Sequence, residues 1–228
     1  LLYDDAQSLY GARRPASFTF KSVGIAASGR TRILRRNYRN TDEILTCARE
    51  FANELLSPVA ADDDGIPRVA PELGGRRGPK PRLALLASLQ QEARTIAETL
   101  IRLHAKGIAW KDMGVLYSAP FVAEAIAESL DCAGVPTEWL RDARSKRFSG
   151  AHDSVKLMTY KSSKGLQFPV VVVAGVGTLP WQDAAGEARE LYVAMTRATE
   201  RLLITASRAS EFVRRLQPLC RPLEPASA

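Results

Sequence analysis

The stretch KLMTYKSSKGLQFPVVVVAG, Lys156 to Gly175, sets a polar, basic segment containing one glycine, Gly165, directly before Val170, Val171, Val172 and Val173. A β-branched run with no polar position has no face to offer water. It reads as a strand covered on both sides, the pattern of an interior strand in a parallel sheet. Backbone N–H groups in the Tyr160–Gly165 turn, the hydroxyls of Thr159, Ser162 and Ser163, and the ammonium groups of Lys161 and Lys164 together suit contacts to phosphate. A surface turn with two lysines explains the same residues equally well, so the rest of the chain has to decide.

Working outward, apolar-rich runs at Arg82–Ala87, Met113–Tyr117, Ser154–Thr159, Pro169–Ala174 and Leu202–Ala206 read as strands, and Thr31–Arg36 as a further one. Between them lie segments with helical spacing. In NTDEILTCAREFANELL the apolar positions are 44, 45, 48, 51, 52 and 55, with Asn40 or Thr41 as the cap, Glu43 in the first turn and Pro58 as the stop. Further helices are expected around Leu89–Leu103, Phe121–Ala133, Glu187–Thr199 and Ser210–Leu216. Strand alternates with helix, which predicts an α/β fold whose parallel sheet carries helices on both faces. Ligands in such folds sit at the carboxyl ends of the strands, where the Tyr160–Gly165 turn belongs. The acidic and Gly/Arg/Pro-rich segment 60–81 reads as a solvated surface loop.

The 228 residues carry a formal net charge of +7, which permits an anionic partner. Cys47, Cys132 and Cys220 are far apart and form no CxxC, which speaks against a disulfide framework or structural zinc and fits a reducing cytoplasm. His104 and His152 are the only histidines, so a histidine-based metal site or triad is not expected. No apolar run is long enough to span a bilayer.

Four short motifs carry the chemistry. DDAQSLY, Asp4–Tyr10, offers Gln7, a side chain able to orient water or sense a terminal phosphate. RRNYRN, Arg35–Asn40, puts Tyr38 beside Arg39 at a strand-to-helix junction, able to stack on a base and reach a phosphate. MTYKSSKG is the turn already described. ELYVAMTRATERLLI places Arg197 at the border of the apolar face of a helix, where it is read as a non-core residue at a domain edge. Each alone is also what an ordinary surface contains.

Taken in order, DDAQSLY, NYRNT, T-x-x-x-SKGLQFP and YVAMTRA resemble the second half of UvrD/Rep-type superfamily 1 helicases, over about Asp4 to Ala206. The resemblance implies a RecA-like domain, the second motor domain of an ATP-driven 3′→5′ DNA translocase acting in DNA repair. Residues 1–20 would be the tail of the first motor domain and 21–228 the second. It implies Gln7 as γ-phosphate sensor, Tyr38 as adenine stacker, Arg39 as γ-phosphate contact and Arg197 as arginine finger. Gly165 and Gln167 would face the nucleotide, and Tyr10, Thr159, Lys161 and Ser163 single-stranded or partly duplex DNA. ATP and Mg²⁺ are the implied cofactors, and the first RecA-like domain the implied partner.

Departures are visible. Lys161 stands where relatives commonly have His, Gln167 where they usually have Glu, and Tyr3 where a glycine usually precedes the first motif. The stretch between Pro58 and Gly150 is too short for the large domain that many relatives insert. No G-x-x-x-x-G-K-[ST] loop and no Asp-Glu pair after a buried strand occur, so the chain reads as a C-terminal piece, inactive alone and without a metal site of its own. The alternative is a helicase-like module that binds nucleic acid or a protein partner without catalysis.

Overall fold

The valine strand lies at the centre of the molecule. The structure, a computed structural model, describes residues 36–55, 72–140, 148 and 152–223. Along β7 (Phe168–Ala174), Phe168, Val171 and Val173 enter one apolar cluster while Val170, Val172 and Ala174 enter another on the opposite face. From Val170 to Ala174 this is the two-residue period of a strand with both sides dry, while the irregularity between Phe168 and Val170 puts Phe168 in the cluster of Val171. Burying a valine side chain contributes about 1.5–3 kcal/mol, so the run is a large local stabiliser.

The strands in chain order are β1 (Arg36–Asn37), β2 (Glu72–Leu73), β3 (Arg82–Leu85), β4 (Met113–Tyr117), β5 (Thr137–Trp139), β6 (Val155–Thr159), β7, β8 (Ala198–Ala206) and β9 (Arg221–Pro222). Seven of them form one sheet in the order β5-β6-β4-β7-β8-β3-β9, and all its pairings are parallel. β1 and β2 make a separate two-stranded parallel pair. The helices are α1 (Asp42–Leu55), α2 (Leu89–His104), α3 (Pro120–Cys132), α4 (Ala184–Met195) and α5 (Glu211–Leu216).

Residues of α1, α4 and α5, among them Ile44, Phe51, Leu191 and Phe212, fill the cluster on one face; Ile96 and Leu100 of α2 with Ile126 and Leu130 of α3 fill the other. The α/β, RecA-like arrangement with helices on both faces is therefore the observed fold. Among the described residues no helix is long and apolar enough to cross a membrane.

Two departures from the expected elements matter for the site. The helix expected over Glu187–Thr199 ends at Met195. The chain turns at Thr196 and Arg197 and enters β8 at Ala198, four residues before the expected start at Leu202. The stretch read as loop, 60–81, contributes β2, and its described part, largely exposed, is hydrogen-bonded to the start of α1.

Candidate functional site

Three short segments meet at one edge of the domain: 37–40 ahead of α1, 165–168 ahead of β7, and 196–198 between α4 and β8. Asn37 opens the first. Its side-chain oxygen accepts from the backbone N–H groups of Arg39 at 2.8 Å and Asn40 at 3.2 Å, an Asx turn that folds the chain back on itself. Its side-chain nitrogen donates to the Asn40 oxygen at 2.8 Å.

Asn40 is 2% exposed and does not cap α1. Its amide nitrogen donates to the backbone carbonyls of Thr196 at 2.9 Å and Ala198 at 2.5 Å, on either side of Arg197. The third segment is tied to the second in turn. Phe168 N–H donates to Arg197 O at 3.0 Å, and Arg197 Nη1 donates to Leu166 O at 3.3 Å.

Within this frame Tyr38 is 62% exposed, the most exposed large apolar side chain of the described residues. Arg39 beside it is exposed too, and its guanidinium meets no acceptor among the described residues. An exposed ring next to an exposed guanidinium is an arrangement suited to an aromatic, anionic ligand.

Arg197 is placed differently from the sequence reading. It sits in the turn after α4 and is 2% exposed. Its Nε donates to Val193 O at 3.0 Å and its Nη2 to Thr196 Oγ1 at 3.4 Å. Helical periodicity placed it on a border because it carried the helix four residues too far, to Thr199 instead of Met195.

The Tyr160–Gly165 turn follows β6 as expected. Thr159 Oγ1 accepts from Ser162 N at 3.0 Å, and Lys161–Ser163 forms one 3-10 turn. Gly165 holds φ of +85°, a left-handed value that favours glycine. Ser163 is fully buried and its hydroxyl donates to Tyr160 O at 2.6 Å, so the side chain shapes the turn from within. Lys161 Nζ lies 3.0 Å from the Glu190 carboxylate on α4. Burial pushes the Glu187 carboxyl, one turn earlier on α4, above its ordinary range; the Glu190 charge adds to this and Lys161 opposes it. Gln167 adjoins Phe168 at the foot of β7 and is exposed.

Gln7 and Tyr10 lie outside the described residues. Among the described residues no group of three or more His, Cys, Asp or Glu side chains stands close enough to hold a metal ion. Sequence reasoning missed the Asn40 tie, because a polar residue at a helix start ordinarily caps that helix, and its true acceptors lie far along the chain.

The family model described as the UvrD-like helicase C-terminal domain matches residues 33–144 and 138–209. Among solved structures, the C-terminal domain of a possible DNA helicase from Lactobacillus plantarum is similar at 17% identity and a TM-score of 0.61, over 82% of this chain and 99% of that one. An arterivirus nonstructural protein 10 helicase solved with DNA is matched at 9% identity and a TM-score of 0.44, over 64% of this chain and 35% of that one. No curated protein sequence matches the chain. The matched residues span all three segments of the rim and most of the sheet, and the chain belongs to the UvrD-like helicase C-terminal domain family.

Proposed function

We propose that the chain is the second motor domain of an ATP-dependent 3′→5′ DNA helicase or translocase, working in the cytoplasm on single-stranded or partly duplex DNA in DNA repair. The observation that carries this reading is the convergence of residues 37–40, 165–168 and 196–198 through hydrogen bonds from Asn40, Phe168 and Arg197. Residues read separately from the sequence as nucleotide contacts stand on one rim.

In this reading ATP lies between the rim and the first RecA-like domain. Tyr38 stacks on the adenine, and Arg39 reaches the γ-phosphate. The carbonyl side of the Gly165–Gln167 turn borders the nucleotide. Arg197 supports charge developing on the transferred phosphoryl group. Its Nε bond to Val193 O is the shorter and serves as a pivot; the longer Nη contacts to Leu166 O and Thr196 Oγ1 are those a phosphate oxygen would replace. Gln7 would complete the γ-phosphate contacts. Mg²⁺ would be held mainly by the first domain.

On the DNA side, Thr159 and Lys161 present the turn to the backbone, with Tyr10 alongside. Ser163 acts by holding the turn's shape, its hydroxyl being committed to Tyr160 O. A DNA phosphate would compete with Glu190 for Lys161, which makes this contact dependent on salt.

A second reading, a helicase-like module without catalysis, draws on the burial of Arg197. One assay separates the two: single-strand-stimulated ATP hydrolysis by the full-length protein. Arg39→Ala should lower kcat by about 10³-fold, the scale of an arginine lost from phosphoryl transfer. Tyr38→Ala should raise KM for ATP. Turnover near wild type in both variants refutes the motor reading, and no turnover in the wild-type protein favours the module.

A further inference from the structure

Residues 72–78 form a strap across the start of α1. β2 pairs with β1 in parallel, Arg36 opposite Glu72 and Asn37 opposite Leu73, so the strap begins beside the first residue of the 37–40 segment. It then passes over the amino end of the helix. Gly75 N–H donates to the Asp42 carboxylate at 3.0 Å and Gly78 N–H to the Glu43 carboxylate at 2.8 Å. The carbonyl of Arg76 accepts from Asp42 N–H at 2.7 Å and so satisfies a first-turn donor that Asn40 does not cap. Burial pushes the Glu43 carboxyl up, but backbone N–H groups of Glu43 and Gly78 and the Arg77 guanidinium outweigh it and hold the group below its usual range.

The side chain of Arg76 turns back the other way. Its Nη1 donates to the backbone carbonyl of Arg39 at 2.8 Å, while its Nη2 lies 3.6 Å from the Glu200 carboxylate on β8. Arg76 therefore grips the peptide between Arg39 and Asn40 and leans on the strand that begins one residue after Arg197. Gly74 makes the close approach possible: a Cβ there would run into the carbonyl oxygen of Asn37.

We propose that Arg76 is a positioning residue for ATP, holding the Arg39 carbonyl so that the Tyr38 ring and the Arg39 guanidinium face the nucleotide before it arrives. This inference rests on the proposed nucleotide role of Tyr38 and Arg39. Among the described residues the 37–40 segment is also held by the Asx turn at Asn37, which takes the Arg39 N–H, and by the Asn40 amide. Arg76 adds a hold on the Arg39 carbonyl. Fixing a binding group in its bound geometry lowers the cost of binding; once ATP is bound its phosphates hold the Arg39 guanidinium, so the chemical step changes little.

The test uses the full-length protein and steady-state ATP hydrolysis with saturating single-stranded DNA. Arg76→Ala should raise KM for ATP by about three- to tenfold, the range of one lost exposed hydrogen bond of ordinary net strength, with kcat within about twofold of wild type. Arg76→Lys, which keeps one donor, should recover part of the change. Gly74→Ala, which pushes the strap from Asn37 and leaves the Arg76 side chain intact, should move KM in the same direction. The proposal is overturned if KM is unchanged in Arg76→Ala, or if kcat and melting temperature fall in step with the rise in KM. Arg39→Ala in the same series keeps the two ideas apart. If it abolishes turnover while Arg76→Ala is silent, the strap inference fails and the nucleotide site stands. If Arg39→Ala and Tyr38→Ala are both silent, the site itself fails.

Discussion

Replacing Asn40 with alanine removes the amide that joins the start of α1 to the α4–β8 turn. In the structure that nitrogen serves the Thr196 and Ala198 carbonyls at 2.9 and 2.5 Å from a side chain that is 2% exposed. Neither water nor a neighbouring donor replaces it without rearrangement. Leaving a buried carbonyl without its donor costs about 1–2 kcal/mol, so two such losses come to about 2–4 kcal/mol. For a domain of this size that corresponds to a fall in melting temperature of about 5–15 °C.

Asn40→Asp sharpens the test, because it preserves shape and reverses the polarity. At neutral pH a carboxylate would face two carbonyl oxygens, so the loss should exceed that of alanine. Its folded-state pKa would lie above the unfolded value. Stability should therefore be recovered as pH falls toward the ordinary aspartate range near 4, and lost again as pH rises through the folded value. The assay is urea and thermal denaturation of the three proteins between pH 4 and 8. If Asn40→Ala lies within about 0.5 kcal/mol of wild type, or Asn40→Asp matches Asn40 at pH 7, the tie is not what holds the rim together.

Two further outcomes follow from groups away from the rim. The Sγ atoms of Cys47 and Cys220 lie 3.8 Å apart in the core, and the hydrogen bond between the two thiols together with burial pushes the Cys47 thiol far above its ordinary value. Stability from the neutral thiol is complete below the unfolded-state pKa near 8.5 and is lost as pH rises above it, by up to about 1.4 kcal/mol per pH unit. Urea midpoints measured from pH 7.5 to 10 should fall more steeply in wild type than in Cys47→Ala; parallel slopes would contradict this. Gly175 ends β7 with φ of +73°, its N–H donates to the buried Glu92 carboxylate at 2.9 Å, and a Cβ would meet Ser118 Oγ at 2.9 Å. Gly175→Ala should destabilise by at least about 1–2 kcal/mol in chemical denaturation, and a neutral result would contradict the left-handed assignment.

The sheet was legible because its signal is local. The run at Val170–Val173 has no polar position, and the 44, 45, 48, 51, 52 periodicity of α1 marks a single buried face. Elements that depend on distant partners were not. β2, β5 and β9 have two or three residues each, too few to show a period, and each exists because a neighbouring strand offers it hydrogen bonds. The end of α4 was misplaced because the apolar spacing continues through Ala198, while the backbone turns at Thr196 and gives the Arg197 carbonyl to Phe168 of β7. At the site, the residue types at 38, 39 and 197 were visible as motifs. That 197 is buried, that Asn40 bridges rather than caps, and that Arg76 reaches back to Arg39 are matters of which chain segments meet.

The bonds that join the three segments of the rim end on main-chain carbonyls. Those of Thr196, Ala198, Leu166 and Arg39 are all acceptors, and among the described residues Tyr38 and the Arg39 side chain take no part in the frame. At positions 38 and 39, unlike 197, architecture and reactivity are thus held in separate sets of atoms. Such a division lets the chemistry at positions 38 and 39 drift, or be exchanged by design for groups that prefer another nucleotide, without dismantling the ledge on which they are mounted.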